Sequence, residues 1–235
     1  TQDNGTNIME NGTATHIRGA DGMVCMISPN DSLVLYTSSQ YGNFRRSDDG
    51  GFNFQSIFPT EGGNGAWVTP LAINPQDNDM LLVGYSELYF SLDKGLSDTK
   101  ISNFNAGLLR HVAIAPSAGY THFYAATYNS IYASYDSGQN WTDIKSGLPS
   151  AAISSITVHP TDPMHLWVTF SGFQAGQKIF ESLDGGNTWS NISLNLPNIP
   201  VNCLAYQTGG GYYIGTDLGV YYKNDILAGW QQYMN

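Results

Sequence analysis

The chain is 235 residues long, 41% hydrophobic and 12% charged, which is enough for one substantial core. A formal net charge of −10 and an isoelectric point near 4.6 repel phosphate backbones and anionic bilayers, which argues against nucleic acid and membrane surfaces as partners. No apolar run approaches the ~20 residues of a membrane span, and 26 Gly, 15 Tyr and 10 Phe favour strands and turns over helices.

Taken in order, the segments repeat. Residues 1–6 (TQDNGT) resemble 215–220 (GTDLGV), a turn between strands, so 1–19 reads as the later half of a repeat unit. Entry at Thr1 without Met fits a processed or excised segment. Residues 20–59 hold two β-rich runs, 24–29 (VCMISP) and 33–36 (LVLY), then the turn Ser47-x-Asp49-x-Gly51-x-x-Phe54. Residues 66–104 repeat this as 71–75 (LAINP), 81–84 (LLVG) and Ser91-x-Asp93-x-Gly95, without the aromatic.

Residues 108–146 give 112–116 (VAIAP), 123–126 (FYAA) and Ser134-x-Asp136-x-Gly138-x-x-Trp141. Residues 151–194 give 156–160 (ITVHP), 166–169 (LWVT) and Ser182-x-Asp184-x-Gly186-x-x-Trp189. Residues 199–235 give 203–206 (CLAY), 212–215 (YYIG) and a decayed turn that keeps Asp225 and Trp230. The aspartates recur at intervals of 44, 43, 48 and 41 residues. A period in the forties is the length of one four-stranded propeller blade. The expectation is an all-β chain, a single β-propeller segment of four-stranded antiparallel blades from a larger ring of six to eight.

In each turn the aspartate can accept N–H groups of its own loop, the serine hydroxyl can close it, and the glycine supplies φ > 0. The aromatic is expected on the outermost strand, packed between neighbouring sheets. All of these roles are structural, so no catalytic residue is assigned.

The turns resemble the Asp-box (BNR) repeats of sialidases, sortilin-type receptors and xyloglucan-cleaving propeller hydrolases. Residues 182–189 (SLDGGNTW), with Leu196-Pro197 and 215–220, are similar to secreted bacterial multidomain proteins described loosely as glycosyl hydrolases. The resemblance implies a propeller in a secreted or cell-surface protein, in contact with the rest of a larger parent. It does not select a function, because ligands usually bind at a propeller's centre and the boxes lie on its rim.

A sialidase-like site would need a three-arginine clamp, and this chain has only Arg18, Arg45, Arg46 and Arg110. A xyloglucanase-like site needs two carboxyls about 6.5–9.5 Å apart, with Asp3, Asp21, Glu61, Glu87 and Asp217 as candidates outside the turns. The leading expectation is a binding or adhesion module for a glycan or protein ligand, with a glycoside hydrolase as the alternative. Glu87, Asp217, Arg110, His111 and Tyr128 are the candidate ligand-facing residues. Tyr41, Trp67, Tyr85 and Phe173 are further loop aromatics suited to stacking.

The five histidines (His16, His111, His122, His159 and His165) show no metal-ligand spacing, and no cofactor motif is present. Cys25 and Cys203 fall on equivalent strands of separate repeats. A ring of six or more blades keeps them apart as two buried thiols; a five-bladed ring would permit a disulfide.

Overall fold

The computed structural model describes residues 3–58, 64–115 and 121–233; Glu61 and Pro116 lie outside them. No α-helix occurs among the described residues. A hairpin of β1 (Thr6–Glu10) and β2 (Thr13–Arg18) comes first. Five antiparallel sheets follow, each with four strands hydrogen-bonded in chain order. They are β3 (Cys25–Ser28), β4 (Asp31–Ser39), β5 (Asn43–Ser47) and β6 (Gln55–Ser56); then β7 (Leu71–Ile73), β8 (Leu81–Gly84), β9 (Leu88–Ser91) and β10 (Thr99–Lys100). Next are β11 (His111–Ala115), β12 (His122–Ala126), β13 (Ile131–Ser134) and β14 (Thr142–Asp143); then β15 (Ile153–Val158), β16 (Leu166–Phe170), β17 (Ile179–Ser182) and β18 (Ser190–Asn191). The last sheet is β19 (Val201–Gln207), β20 (Gly211–Thr216), β21 (Gly219–Asn224) and β22 (Gln231–Tyr233).

The chain divides into two compact units, Thr1–Val112 and Ala113–Asn235. Strand position sets composition. β8 and β16 are buried at every residue. Strands covered on both faces read as continuous apolar runs, and LLVG and LWVTF do so. β6, β10, β14 and β18 are two residues long and exposed, which keeps the sheet edges short.

In the first unit the core gathers Tyr36, Phe44, Phe58, Leu81, Val83 and Tyr85. In the second, Tyr124, Ile153, Val168 and Phe170 join β11–β14 to β15–β18, and Trp167, Ile179, Leu204, Ile214 and Trp230 join β15–β18 to β19–β22. First strands are tied across the latter interface, Thr157 donating to the Leu204 carbonyl at 2.9 Å and Ser154 to that of Val201 at 2.6 Å.

Four turns share one hydrogen-bond pattern. Ser47, Ser91, Ser134 and Ser182 each donate to the aspartate two residues on, at 2.7–2.8 Å. Each serine also accepts the N–H of Gly51, Gly95, Gly138 or Gly186, at 2.7–2.8 Å. These glycines have φ between +86° and +100°, a region costly for residues with a Cβ.

Each aspartate has a further local partner. The residue four after each aspartate is Asn53, Ser97, Asn140 or Thr188. Its N–H donates to one carboxylate oxygen at 2.8–2.9 Å and its side chain to the other at 2.6–2.7 Å. These bonds, from Asn53 and from Thr188 foremost, hold Asp49 and Asp184 down at about 2. Asp93 and Asp136 are lowered for the same reason.

The last turn departs from the pattern. Asn224 accepts the Ile226 and Leu227 N–H groups at 3.1 and 3.0 Å in the role expected of Asp225, which is exposed. Phe54, Trp141, Trp189 and Trp230 come immediately before the outermost strand, where the sequence placed them within it. Trp189 and Trp230 each donate an indole N–H into the preceding repeat, to Ile144 and Ile192 at 3.0 and 2.9 Å. Both cysteines are free and exposed, against the expectation of buried thiols. In Cys203 the cause is visible: its sulfur lies over Gly215 on the outward face of β19–β22.

Candidate functional site

The five residues expected to face a ligand are not gathered into one cleft. Glu87 is turned inward and is 5% exposed. It accepts the Ser102 hydroxyl and the N–H groups of Phe104 and Asn105 at 2.8 and 2.9 Å. Burial pushes this carboxyl up, but the three hydrogen bonds together outweigh burial and leave it below its ordinary value. Glu87 therefore holds a loop, and its expected exposure is corrected. Asp217 is exposed and accepts from the Asn202 amide at 2.9 Å, tying its turn to β19. Arg110 and His111 are half-buried where β11 begins. Tyr128 is 48% exposed in the β12–β13 turn, its carbonyl accepting the Ile153 N–H.

Two arginines are committed elsewhere. Arg46 is buried, bonded to Asp48 at 2.9 Å and to the Lys94 carbonyl at 3.0 Å. Arg18 donates to the Thr37 carbonyl and hydroxyl at 3.1 and 2.9 Å and to the Asn43 carbonyl at 3.2 Å. Burial first, and Arg45 second, lower its guanidinium to about 10. Arg18 thus fastens the β1–β2 hairpin to β4 and β5.

That fastening creates a site in the first unit. Asp3, with φ +63°, donates its N–H to the Asp21 carboxylate at 2.8 Å. Gly5, φ +65°, allows close passage, since a Cβ there would lie 2.1 Å from the Arg18 carbonyl oxygen and 2.7 Å from the His16 ring. Asp3, Asn4, His16, Asp21 and Gln40 then line an open cleft of about 540 Å³. Of the candidate carboxyls, Asp3 and Asp21 are brought together.

The next residue along the β4–β5 turn is Tyr41, held at φ +61°, an unfavourable conformation for a bulky side chain. Two main-chain hydrogen bonds keep it there, Tyr41 N–H to the Trp67 carbonyl at 3.3 Å and Gly65 N–H to the Tyr41 carbonyl at 3.0 Å. The Tyr41 and Trp67 rings meet edge to face, centroids 5.2 Å apart and planes at 88°. They stay 46% and 39% exposed. Beneath, Tyr85 donates to the Gly42 carbonyl at 3.0 Å and is 1% exposed, so this expected ligand aromatic instead supports the turn.

A second polar cluster lies in the second unit. His159 and His165 stack at 5.2 Å, and Glu181 bonds the His165 ring and the Trp167 indole, both at 2.9 Å. The His165 bond leads in lowering the Glu181 carboxyl. Among the described residues no group of three His, Cys, Asp or Glu is placed to hold a metal ion.

The fold is that of a β-propeller made of four-stranded antiparallel blades. No family model and no curated protein sequence matches the chain. Solved structures do. A GH74 enzyme from Niastella koreensis aligns with TM-score 0.70 at 17% identity, covering 90% of this chain and 37% of that one. The extracellular domain of a putative one-component system from B. thetaiotaomicron aligns with TM-score 0.70 at 15% identity, over 99% of this chain and 31% of that one. YCF48 from Cyanidioschyzon merolae gives 0.64 at 13% identity, over 95% and 75%. The chain thus spans about a third of the length of the GH74 enzyme and the extracellular domain.

Proposed function

We propose that the chain is a glycan-binding propeller module of a secreted or cell-surface protein. Its ligand is a neutral sugar chain lying on Tyr41 and Trp67, with its hydroxyls reaching Asp3, Asn4, His16, Asp21 and Gln40. The single observation that carries this reading is the strained, exposed Tyr41–Trp67 pair beside a polar cleft. Aromatic faces stack on the C–H face of a sugar ring, and carboxylates and amides accept or donate to its hydroxyls. The chain's net charge of −10 disfavours acidic sugars. The Ser-x-Asp-x-Gly turns are read as Asp-box clasps with a structural role.

Titration calorimetry against neutral and uronic-acid oligosaccharides tests the proposal. We expect saturable binding of a neutral glycan, lost by at least tenfold in Trp67→Ala with the melting temperature unchanged. Equal binding by Trp67→Ala and the parent would refute it.

A second reading, glycoside hydrolysis, is favoured by Asp3 and Asp21 sharing one cleft and by the likeness to GH74 enzymes. Release of reducing sugar from xyloglucan, abolished in Asp21→Asn, would select it over simple binding.

A further inference from the structure

In the second unit the turn from His159 to His165, between β15 and β16, is fastened from within by a histidine ring. The His159 N–H donates to the His165 carbonyl at 2.9 Å and closes the turn. Inside it, His159 Nδ1 accepts the N–H groups of Thr161 and Asp162 at 3.3 and 3.2 Å, with the Thr161 hydroxyl 3.3 Å from the same nitrogen. An imidazole nitrogen accepts only while it carries no proton, so the neutral ring holds its proton on Nε2. The closed turn then serves two neighbours. Its Pro163 carbonyl accepts the Tyr124 hydroxyl of β12 at 2.8 Å, and its Met164 carbonyl the Gly185 N–H at 2.7 Å.

The surroundings keep His159 neutral. His165 has a carboxylate partner in Glu181 at 2.9 Å, with Lys223 of β21 beside that carboxylate. The His159 ring has no such bond. It lies parallel to His165, centroids 5.2 Å apart and planes within 5°, and meets Tyr206 of β19 at 4.7 Å. Burial first and His165 second lower its imidazole, outweighing Asp162. His122, where β12 begins, borders the same turn with Tyr135 edge-on at 5.5 Å. Burial lowers it too, against the Pro163 carbonyl and Asp162, and its buried Nδ1 has no hydrogen-bond partner to receive a proton.

The matching turn of the first unit does the same work with an amide. The Asn74 N–H donates to the Met80 carbonyl at 3.0 Å, and Asn74 Oδ1 accepts the Gln76 N–H at 2.9 Å. An amide does not titrate between pH 5 and 8, and a histidine does. We propose that the His159–His165 turn is an acid-released clasp, in which a proton on His159 Nδ1 evicts the Thr161 and Asp162 N–H groups and the turn lets go of Tyr124 and Gly185. The open turn binds that proton more readily than the closed one. Closure is therefore complete above the ordinary histidine value of about 6.5 and is lost as pH falls below it. The clasp is independent of the glycan site, which lies in the first unit.

Amide exchange followed by NMR at pH 7.5 and 5.0, with intrinsic rates divided out, tests the clasp. We expect protection of Thr161 and Asp162 to fall at least threefold at the lower pH, while Gln76 in the amide-closed turn keeps its own. His159→Asn, which installs the acceptor of the first-unit turn, should leave Thr161 equally protected at both pH values. Equal protection at both pH values in the parent overturns the proposal, and so does a fall that His159→Asn does not abolish. Loss of the near-ultraviolet dichroism at pH 5.0 also overturns it, since the whole fold would then be opening. Nitrogen shifts of the parent's histidines need no variant: at pH 7.5 the His159 proton is expected on Nε2, and finding it on Nδ1 refutes the clasp.

Discussion

Glu87 in the first unit and Lys178 in the second both stand immediately before the third strand of a sheet, and both are buried. Their charges are opposite. Glu87 accepts from Ser102, Phe104 and Asn105, residues just past β10. Lys178 donates to the Gly172 carbonyl and to Asn198 at 2.9 Å. A serine hydroxyl accompanies each, Ser102 accepting the Leu88 N–H and Ser193 that of Lys178, at 2.9 and 2.8 Å. In these two sheets a long side chain reaches the segment leaving the fourth strand. The sign of each charge matches its partners, N–H groups for Glu87, and for Lys178 the Asn198 side-chain oxygen together with the Gly172 carbonyl of the β16–β17 loop.

Exchanging the signs breaks the comparison most severely. Lys178→Glu would aim a carboxylate at two acceptors, and Glu87→Lys an ammonium at two N–H groups. Each is expected to cost about 3–5 kcal/mol, the range for an uncompensated buried charge, read as loss of the cooperative transition in urea. Truncation is milder. Glu87→Ala strands the Phe104 and Asn105 donors and should cost about 2 kcal/mol, while Glu87→Gln, still an acceptor, should recover part of that loss in the same melts.

The turns sharpen the contrast on a smaller scale. Ser182→Ala removes a hydroxyl that serves Asp184 and Gly186 in a buried position and should cost about 1–2 kcal/mol. Asn224→Ala, in the more open last turn, should cost about half as much.

The smallest effect is the pH dependence. Glu87, Asp49 and Asp184 are lowered when folded, so the unfolded chain binds more protons between the two values. Their stabilisation is complete above the ordinary carboxylate range and is lost as pH falls from about 4 towards 2. Burial lowers Lys178 as well, and again the unfolded chain binds more protons, so stability should rise with pH in the alkaline window just below the ordinary lysine value. Urea midpoints at pH 2–5 and 9–10.5 check both limbs, and Lys178→Met should flatten only the second.

Much of the fold was legible because it is local. In each serine–aspartate–glycine turn the serine and aspartate side chains find their partners within a few residues, and covered second strands such as β16 announce themselves as apolar runs. The partners of the aspartates at Asn53, Ser97, Asn140 and Thr188 are local in the same way, each one residue before the position of the aromatic. The candidate site was less legible. Glu87 and Tyr85 look like exposed loop residues, and their burial depends on main-chain groups of distant segments, Asn105 and Gly42, which have no side-chain signature. The meeting of Asp3 with Asp21 depends on Gly5 letting the hairpin pass close to His16 and Arg18, a three-dimensional fact. Asp225 misled because the spacing survives while the serine and glycine are gone, and Asn224 can cap the turn alone.

The turn chemistry bears on how such a chain could lengthen over generations. The serine and aspartate hydrogen bonds of the Ser182 turn close between residues 182 and 188, so a duplicated gene segment would carry them wherever it was inserted, while Gly185 reaches outward, its N–H to the Met164 carbonyl at 2.7 Å and its carbonyl to the Tyr135 hydroxyl at 2.8 Å. Gly185 and Gly186 depend on their surroundings, because Met164 and Tyr135 occupy the space a Cβ on the first would need and Ile144 of the preceding repeat the space a Cβ on the second would need. Copies can therefore drift in loop length and surface, as the uneven intervals between the aspartates record, while inheritance guards two small residues against the side chains around them.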